Sequence, residues 1–507
     1  MLGWVYVGNG MQGNAKRVRA RRFSNAEAEG IPRAVVSRRV ILLLWVLALP
    51  VLLAGLGTPV VQRTQEARVL ETGREMLAST GWRQWMVPKL NGEQRLQKPP
   101  LAYWAAAGGF KLFGINDFAG RLPFALAGWL TLAVVYLFGR DLNGARFGLL
   151  SAAVLLTSFM FFRHFRLAET DSLVAFFVAA GTYTVWKGGV AATEKRGTLW
   201  FHLAGLSIGL AVMAKGPPAV FPVLFFVAWV AVERRGRAIV RLLLSGAALT
   251  ALVVGGAWFL YIYQAGQFRV LREELFVIAH GEDHVRPFHM YLPLLFLITA
   301  PWTGLFTVGL VEAARGWRRS EAARVALLWL GVVLVPLCFM GNKQNHYLVP
   351  LTPALAMLAA YALERGIEGT SRAARWVTYA TVIVSILTPI GVLMVARQTR
   401  GALLPLDVAL AVVIVGGVVA ALSLGRRYGV WGAAMCYAGA SAVAWAVTVG
   451  RWWPSLHPVD HRTIARDLRT AFGDGPYAFY GRDPSFPLIW NLHAIVPTAA
   501  PKTTSLK

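Results

Sequence analysis

The chain has 507 residues, of which 56% are hydrophobic and only 15% are charged, and its formal net charge is +26. Soluble domains carry about 25% charged residues, so the composition excludes an ordinary soluble protein and indicates a polytopic membrane protein. The basic residues fall mainly between apolar runs. Positive-inside topology therefore explains them better than nucleic-acid binding, and we expect no nucleic-acid partner.

The chain opens with a basic segment, residues 1–38, that we interpret as a cytoplasmic tail. The apolar run 40–57 follows, and because no clear cleavage site marks it, we interpret it as an uncleaved signal anchor. Charged residues divide the chain up to residue 450 into further runs long enough to cross a bilayer, which gives about thirteen predicted spans. After the first, they are approximately 118–139, 147–163, 170–188, 199–214, 217–232, 239–262, 290–311, 323–340, 347–364, 376–396, 404–424 and 429–450.

The distribution of arginine and lysine among the loops predicts the orientation. The more basic loops all fall on the side of the N-terminus, which the positive-inside rule places in the cytoplasm. The polar stretches then share the outer face, where any chemistry should lie. These stretches are 58–117, 163–171, 215–217, 263–289 and 341–347.

Residues 451–507 follow the last predicted span and should lie outside as well. They combine a helical piece at 461–472 with a strand-like run at 477–480. The predicted fold is therefore an all-α polytopic membrane bundle, residues 39–450, with a small extracytoplasmic C-terminal α/β segment.

The first outer loop, residues 58–117, is a dense polar island between two apolar runs. Its stretch Glu66–Leu77 places apolar residues on one side, which predicts an amphipathic helix lying on the membrane surface. Lys98 precedes Pro99-Pro100 and should therefore lie on an extended segment, just before a new helix. A lysine there can bind a phosphate at headgroup depth.

Several motifs occur in a fixed order through residues 40–365. The island carries E-A-R-x-x-E-x-x-x-E-M from Glu66, W-x-x-P-x-L-N-G from Trp85, K-P-P-L-x-Y-W from Lys98 and F-A-x-R-L-P from Phe118. A-K-G-P, H-V-R-P-F-x-x-Y-L-P and K-Q-N-H-Y-L-V-P follow at 214–217, 284–293 and 343–350. This ordered set resembles the integral-membrane glycosyltransferases that use polyprenyl-phosphate sugars, specifically the aminoarabinose lipid A transferases related to protein O-mannosyltransferases.

The resemblance implies a GT-C-type helical bundle in the plasma (inner) membrane. It implies a glycosyltransferase that moves a sugar from a polyprenyl-phosphate donor to an extracytoplasmic acceptor. A lipid A-like glycolipid, a protein hydroxyl and a cell-envelope glycan remain open as acceptors, so lipid A modification and protein glycosylation are both consistent with it. The expected partners are the lipid-linked donor, a lipid or protein acceptor, and membrane lipids.

Two positions depart from the family pattern. Gln65 stands where the family has an acidic residue before Glu66, and Gln97 replaces an acidic residue before the Lys-Pro pair. A glutamine has no ionisable group, so Gln65 cannot act as a general base. Either Glu66 takes that role, or the acceptor is already an anion, or the activity is altered. The resemblance leaves a divalent metal ion open as a cofactor, but Gln97 weakens that case, and we assign no metal ligands.

The chemistry of such a transfer suggests the site residues. A phosphodiester becomes a phosphomonoester, so cations should stabilise the growing negative charge, and an acceptor hydroxyl needs a carboxylate base. The base candidates are Glu66, Glu71 and Asp171, and the candidates for binding phosphate or substrate are Lys98, Arg68, Lys215 and Lys343, then Arg286 and His346.

Each candidate also has a structural interpretation. Glu66 and Glu71 could be the solvated face of a surface helix, Lys98 could reach for headgroups, and Asp171 could cap a helix. Two other functions also fit the sequence. One is a transporter or flippase of a lipid-linked substrate, which should show internal repeats and charges at the bilayer midplane; we find no clear repeat. The other is a carrier-binding homologue with impaired catalysis.

Overall fold

The computed structural model describes residues 37–280, 285–452, 455–456, 460–474, 477–480 and 484–499. All but the last two residues of the predicted basic tail lie outside the described residues. The described chain is overwhelmingly helical, as the composition predicts.

The helices before residue 281 are numbered in chain order. They are α1 Arg38–Leu53, α2 Thr64–Ala78, α3 Arg83–Met86, α4 Leu101–Phe113, α5 Asp117–Asn143, α6 Ala145–Thr157, α7 Phe159–His164, α8 Thr170–Val190, α9 Glu194–Ala214, α10 Phe221–Glu233, α11 Gly236–Leu244, α12 Ala247–Gln264 and α13 Phe268–His280.

The later helices continue the same numbering. They are α14 Tyr291–Ile298, α15 Thr303–Gly316, α16 Glu321–Phe339, α17 Thr352–Ile367, α18 Arg372–Val384, α19 Thr388–Arg400, α20 Pro405–Val447, α21 His461–Phe472 and α22 Phe486–Leu492. Short 3₁₀ turns lie at Pro217–Val220, Phe288–Met290, Asn345–Leu351 and Ser385–Leu387, and a π turn lies at Thr448–Trp452.

Eight of the described helical segments are long and apolar enough to span a membrane, or nine if the bent pair α14–α15 is one span. Three shorter apolar helices, at 41–53, 145–157 and 217–233, coincide with further predicted spans. The chain therefore has the predicted multi-pass helical architecture. The count of thirteen stays a prediction, because it also requires α20 to be two spans separated at Gly429, where the backbone leaves the helical region.

Three predicted spans are not single continuous helices. The predicted span 147–163 is divided at Ser158, whose extended backbone separates α6 from α7. The predicted span 239–262 is split at Gly246, whose left-handed backbone (φ 78°) separates α11 from α12. The predicted span 290–311 is bent by 116° between α14 and α15. A hydropathy average does not detect these breaks in the helices, because the residues on both sides of each break are apolar.

The segment formed by the 3₁₀ turn 345–351 and α17 lies at the centre of the bundle. Of its most apolar stretch, 94% is buried inside the protein. It packs against α15, α6, α16 and α18. Close approach of the backbones makes this packing tight: a Cβ added to Gly309 on α15 would lie 1.9 Å from the carbonyl oxygen of Leu358. Small residues at helix interfaces serve this purpose in membranes.

Helix α2 has the predicted extent but not the predicted environment. It packs against α4 and α22, and Glu66, Glu71 and Glu75 are all buried. The alternative that Glu66 and Glu71 form the solvated face of a surface helix is therefore wrong. The C-terminal segment covers part of this helix.

A short hairpin follows α2, with strands β1 Lys89–Leu90 and β2 Glu93–Gln94 joined by an Asn91-Gly92 turn. Both turn residues have positive φ, as a two-residue type I′ turn requires, and Asn-Gly is a preferred sequence for it. The carboxylate of Glu75 accepts hydrogen bonds from the two turn amides, one of them at 3.1 Å from Gly92. This holds the hairpin on α2.

The C-terminal segment contains helix α21 at its predicted position, helix α22 and a parallel pair of two-residue strands, β3 Phe479–Tyr480 and β4 Thr498–Ala499. It is anchored on the first residue of α5. The indole of Trp490 donates to Asp117 at 2.7 Å, and Arg462 forms an ion pair with the same carboxylate. The segment is thereby held against the polar island.

Candidate active site

Four of the five polar stretches predicted to share the outer face, 58–117, 163–171, 215–217 and 341–347, contribute side chains to one cluster. Helix α8 begins at Thr170, so Asp171 lies in its first turn, where the helix dipole favours a carboxylate. Lys215 ends α9, and the positive φ of Gly216 (87°) turns the chain immediately after it. As a result, the ammonium of Lys215 lies 2.5 Å from Asp171 Oδ1 and faces the ring of Tyr347 at 4.4 Å.

Two further predicted residues complete this group. His346, in the turn before α17, places its Nε2 3.8 Å from Asp171 Oδ2. Lys98 lies on the segment before α4, close enough to interact electrostatically with Lys215 and Asp171. Burial and the neighbouring Lys215 charge lower the pKa of Lys98 from 10.5 to about 8. Four predicted residues, distant in sequence, are therefore one cluster.

A second layer of ion pairs lies beside this group. The Arg121 guanidinium binds Glu66 through two nitrogens, at 2.7 and 3.1 Å, and both side chains are almost wholly buried. Glu66 also accepts from the backbone N–H of Ala168 at 3.1 Å. Glu66 therefore joins α2 to α5 and to the loop before α8. Three of the roughly four lone-pair sites of its carboxylate accept from these donors, which argues against a free general base.

Glu169 is the next carboxylate in this layer. It forms an ion pair with Arg63 at 2.5 Å and lies 3.5 Å from the imidazole of His164. Burial by itself would raise the pKa of Glu169, but the His164 and Arg63 groups together lower it well below its usual range. Glu169 is therefore ionised at neutral pH.

The charges of these two layers do not balance. Three carboxylates, Glu66, Glu169 and Asp171, pair with Arg121, Arg63 and Lys215 respectively. Lys98 and Arg163 have no salt-bridge partner among the residues that the structure describes. Burial and the Arg63 charge lower the pKa of Arg163, which lies close to Glu169 and Glu66. The partly buried site thus carries two surplus positive charges, which an anion could neutralise.

The remaining predicted residues lie elsewhere. Glu71 is fully buried and paired with Arg74 at 2.6 Å, and burial raises the pKa of its carboxyl although Arg74 opposes the shift. Arg68 lies over the Phe486 ring at 4.7 Å, with Arg95 near enough to help burial lower its pKa. Neither contacts Asp171.

Lys343 and Arg286, two further candidates for binding phosphate or substrate, lie in a contact between two loops. The Lys343 ammonium donates to the carbonyls of Arg286 (3.0 Å) and Met340, and only 4% of Lys343 is exposed. The Arg286 side chain points to solvent. The structure thus uses Lys343 to fix the chain after α16 against the segment before α14.

Sequence reasoning missed Arg63, Arg121, Arg163, His164 and Glu169. Four of these are ordinarily charged at neutral pH and His164 can be. Three of the five lie in the run R-H-F-R-L-A-E-T-D between two apolar helices. The many charged residues in this short loop were the feature of the sequence that could have indicated them. As for metals, no group of three or more His, Cys, Asp or Glu side chains in the described part of the chain could hold an ion. We therefore derive no step through a metal.

Comparisons with known proteins agree with this architecture. Residues 36–276 match the family described as dolichyl-phosphate-mannose-protein mannosyltransferase. A protein of Edwardsiella ictaluri named undecaprenyl phosphate-alpha-4-amino-4-deoxy-L-arabinose arabinosyl transferase is 31% identical over 310 residues, 59% of this chain and 55% of its own length. An uncharacterized protein of Aquifex aeolicus is 30% identical over 317 residues, 60% of each chain. The chain thus matches somewhat more than half the length of these relatives.

Solved structures extend the comparison over nearly the whole chain. ArnT from Cupriavidus metallidurans in the apo state has a TM-score of 0.77 and 23% identity, over 91% of this chain and 85% of its own. The same protein bound to undecaprenyl phosphate gives a TM-score of 0.77 at 22% identity, over 91% and 86%. The resemblance seen in the motifs is confirmed: this chain has the ArnT fold, and its residues 36–276 match the protein mannosyltransferase family.

Proposed function

We propose that this protein is a membrane glycosyltransferase that moves a sugar from a polyprenyl-phosphate donor to an acceptor at the extracytoplasmic face. The observation that carries the proposal is the partly buried cluster of Asp171, Lys215, His346 and Lys98, with the surplus positive charge at this site. Undecaprenyl phosphate is bound by ArnT, which shares the fold, and the curated relative from Edwardsiella ictaluri is named for such a donor.

The transfer breaks the bond between the sugar's anomeric carbon and a phosphate oxygen, and it forms a bond from that carbon to an acceptor oxygen. The donor phosphodiester carries one negative charge, and the departing phosphomonoester carries about 1.5 to 2 at neutral pH. Cations fixed beside the phosphate stabilise this growing charge, and they are most effective in a buried site. Lys98, Lys215 and Arg163 are the residues we assign to it.

Asp171 holds the Lys215 ammonium in place and is the carboxylate closest to it, so we retain it as the base for an acceptor hydroxyl. Deprotonation by Asp171 would then require its ion pair with Lys215 to loosen as the phosphate arrives. For Glu66 and Glu71, which have arginine partners of their own, we propose positioning roles in place of the catalytic roles first predicted. An acceptor that is already anionic would need no base.

The orientation is part of the proposal. The loop charges put the N-terminus in the cytoplasm and the cluster outside, in the plasma (inner) membrane, and the C-terminal segment would lie outside with the cluster it packs near. A cysteine introduced by Gly81→Cys in the island should react with a membrane-impermeant thiol reagent on intact spheroplasts, whereas one from Lys195→Cys, in the first turn of α9, should not. The reverse labelling pattern would mean that the protein has the opposite orientation in the membrane.

The decisive experiment is intact-mass analysis of envelope lipids and glycoproteins from cells with and without the protein. A sugar-sized mass difference on one class of molecule would establish transfer and identify both sugar and acceptor. Lys215→Ala should abolish the difference, while Lys195→Ala, an exposed lysine outside the cluster, should not. No difference with the verified, folded wild-type protein would favour the transporter or the carrier-binding alternative, with Gln65 and Gln97 as its explanation.

A further inference from the structure

An apolar groove lies far from the candidate active site. This groove has a volume of about 790 Å³, is partly open, and is lined by α1, α5, α6 and the second half of α20. Its walls are almost entirely apolar, with Leu42, Trp45, Leu137, Leu149 and Met435 among them. It therefore suits acyl chains better than a polar metabolite.

The charge in the cavity lining is confined to one end. Arg38, the first residue of α1, and Arg140, near the end of α5, are its two charged side chains. Arg140 pairs with Asp141 at 2.8 Å, but Asp141 is also bound by Lys187 at 2.8 Å. Three cations and one carboxylate at this mouth leave two surplus positive charges, and Arg38 has no salt bridge among the described residues.

This charged end is remote from the lysine cluster. Arg121, in the ion pairs beside that cluster, lies on the first turns of α5, and Arg140 follows 19 positions later on the same helix. At 1.5 Å per residue the two are about 28 Å apart, close to the thickness of the hydrocarbon core. The groove mouth and the candidate active site are thus at opposite membrane faces, whichever way the protein is inserted.

Taken together, these features lead us to propose that the groove is a binding site for one anionic phospholipid of the leaflet opposite the candidate active site. Its phosphate lies between Arg38 and Arg140, and its acyl chains fill the space between α1, α6 and α20. Basic pockets between transmembrane helices bind anionic headgroups on the cytoplasmic side of other membrane proteins. Charge at one end of an otherwise apolar groove, at headgroup depth, matches that pattern and distinguishes the site from a uniformly apolar lipid-facing surface.

The bound lipid would fix α1 against the bundle. From Trp45 onward, α1 has protein contacts: Trp45 stacks on Trp129 at 3.7 Å, and Arg166 donates to the carbonyl of Leu52 at 2.5 Å and to that of Ala54, just beyond the helix, at 2.6 Å. The residues of α1 before Trp45 border the groove with fewer such contacts, and Leu42 is 58% exposed. The lipid therefore occupies the place where protein packing is missing.

Native mass spectrometry of the delipidated full-length protein, titrated with phosphatidylglycerol or with chain-matched phosphatidylcholine, tests this. We expect one phosphatidylglycerol to be retained in preference. Arg38→Ala with Arg140→Ala should weaken its binding about 30-fold, since each basic side chain contributes about a 5-fold effect. Arg318→Ala with Arg319→Ala, two exposed arginines outside the groove, should leave it unchanged.

A second variant blocks the groove without touching the arginines. Gly439 lines it, and a Cβ there would meet nothing within 4 Å, so Gly439→Leu should fold normally and exclude the acyl chains. Gly391→Leu, equally unobstructed but outside the groove, is its control. Equal retention of both phospholipids, unchanged binding in Gly439→Leu, or displacement of the lipid by polyprenyl phosphate would each overturn the proposal. None of these outcomes depends on glycosyl transfer.

Discussion

The role of Glu66 can be decided by a substitution that separates stability from chemistry. Its carboxylate receives two hydrogen bonds from Arg121 and one from the Ala168 amide, and both charged side chains are 1% exposed. Glu66→Gln leaves the Arg121 guanidinium buried without its counter-charge. Removing one partner of a buried ion pair costs about 3–5 kcal/mol. We therefore expect the free energy of unfolding to fall by roughly that amount.

The double variant Glu66→Gln with Arg121→Gln provides the control. Because it removes both charges, it should be less destabilised than the sum of the two single variants, by a coupling of about 1–3 kcal/mol. The free energy of unfolding of all four proteins can be measured by denaturant titration in mixed micelles, followed by tryptophan fluorescence. If Glu66→Gln unfolded like the wild type yet abolished transfer, Glu66 would be a catalytic base and the positioning role would be refuted.

Three further predictions follow from other parts of the structure. With its pKa near 8, Lys98 loses its charge as pH rises, so affinity for polyprenyl phosphate should fall up to about tenfold from pH 7 to 9. Lys98→Arg, which stays protonated, should bind without that dependence, and an identical pH profile for the two proteins would exclude Lys98 from the phosphate site. Gly309→Ala would place a Cβ 1.9 Å from the Leu358 carbonyl oxygen. It should lower the stability of the protein in thermal melts by about 1–3 kcal/mol or more. Gly331→Ala, with no atom within 4 Å, should be neutral or stabilise by up to about 1 kcal/mol, and equal melts would contradict the packing argument. Asp117→Asn weakens two of the side-chain contacts that anchor the C-terminal segment, those of Trp490 and Arg462, so limited proteolysis should cleave residues 460–499 faster; an unchanged cleavage rate would mean that the remaining contacts, such as that of Asn91 with Val496, hold the segment.

The sequence by itself determined the membrane class, most span positions and four members of the cluster. Hydropathy and charged punctuation are local properties, and they located α5 and α8 to within a few residues. The motif order indicated Lys98, Asp171, Lys215 and His346, and the topology predicted that their loops share one face. These predictions depend on the length of each span and on the side of the membrane on which each loop lies. Both follow from hydropathy and from the distribution of basic residues along the chain.

Only the tertiary structure decided which charges pair. Glu66 has the sequence pattern of a solvated residue on a surface helix, yet it meets Arg121 from a helix 55 positions away. Lys343 resembled a phosphate ligand but is bound to two backbone carbonyls. Which cations lack a counter-charge follows only once all the partners are known. The physical reason is that a buried charge is stabilised by whatever lies within a few ångströms of it, and in a helical bundle those neighbours come from segments far apart in the chain.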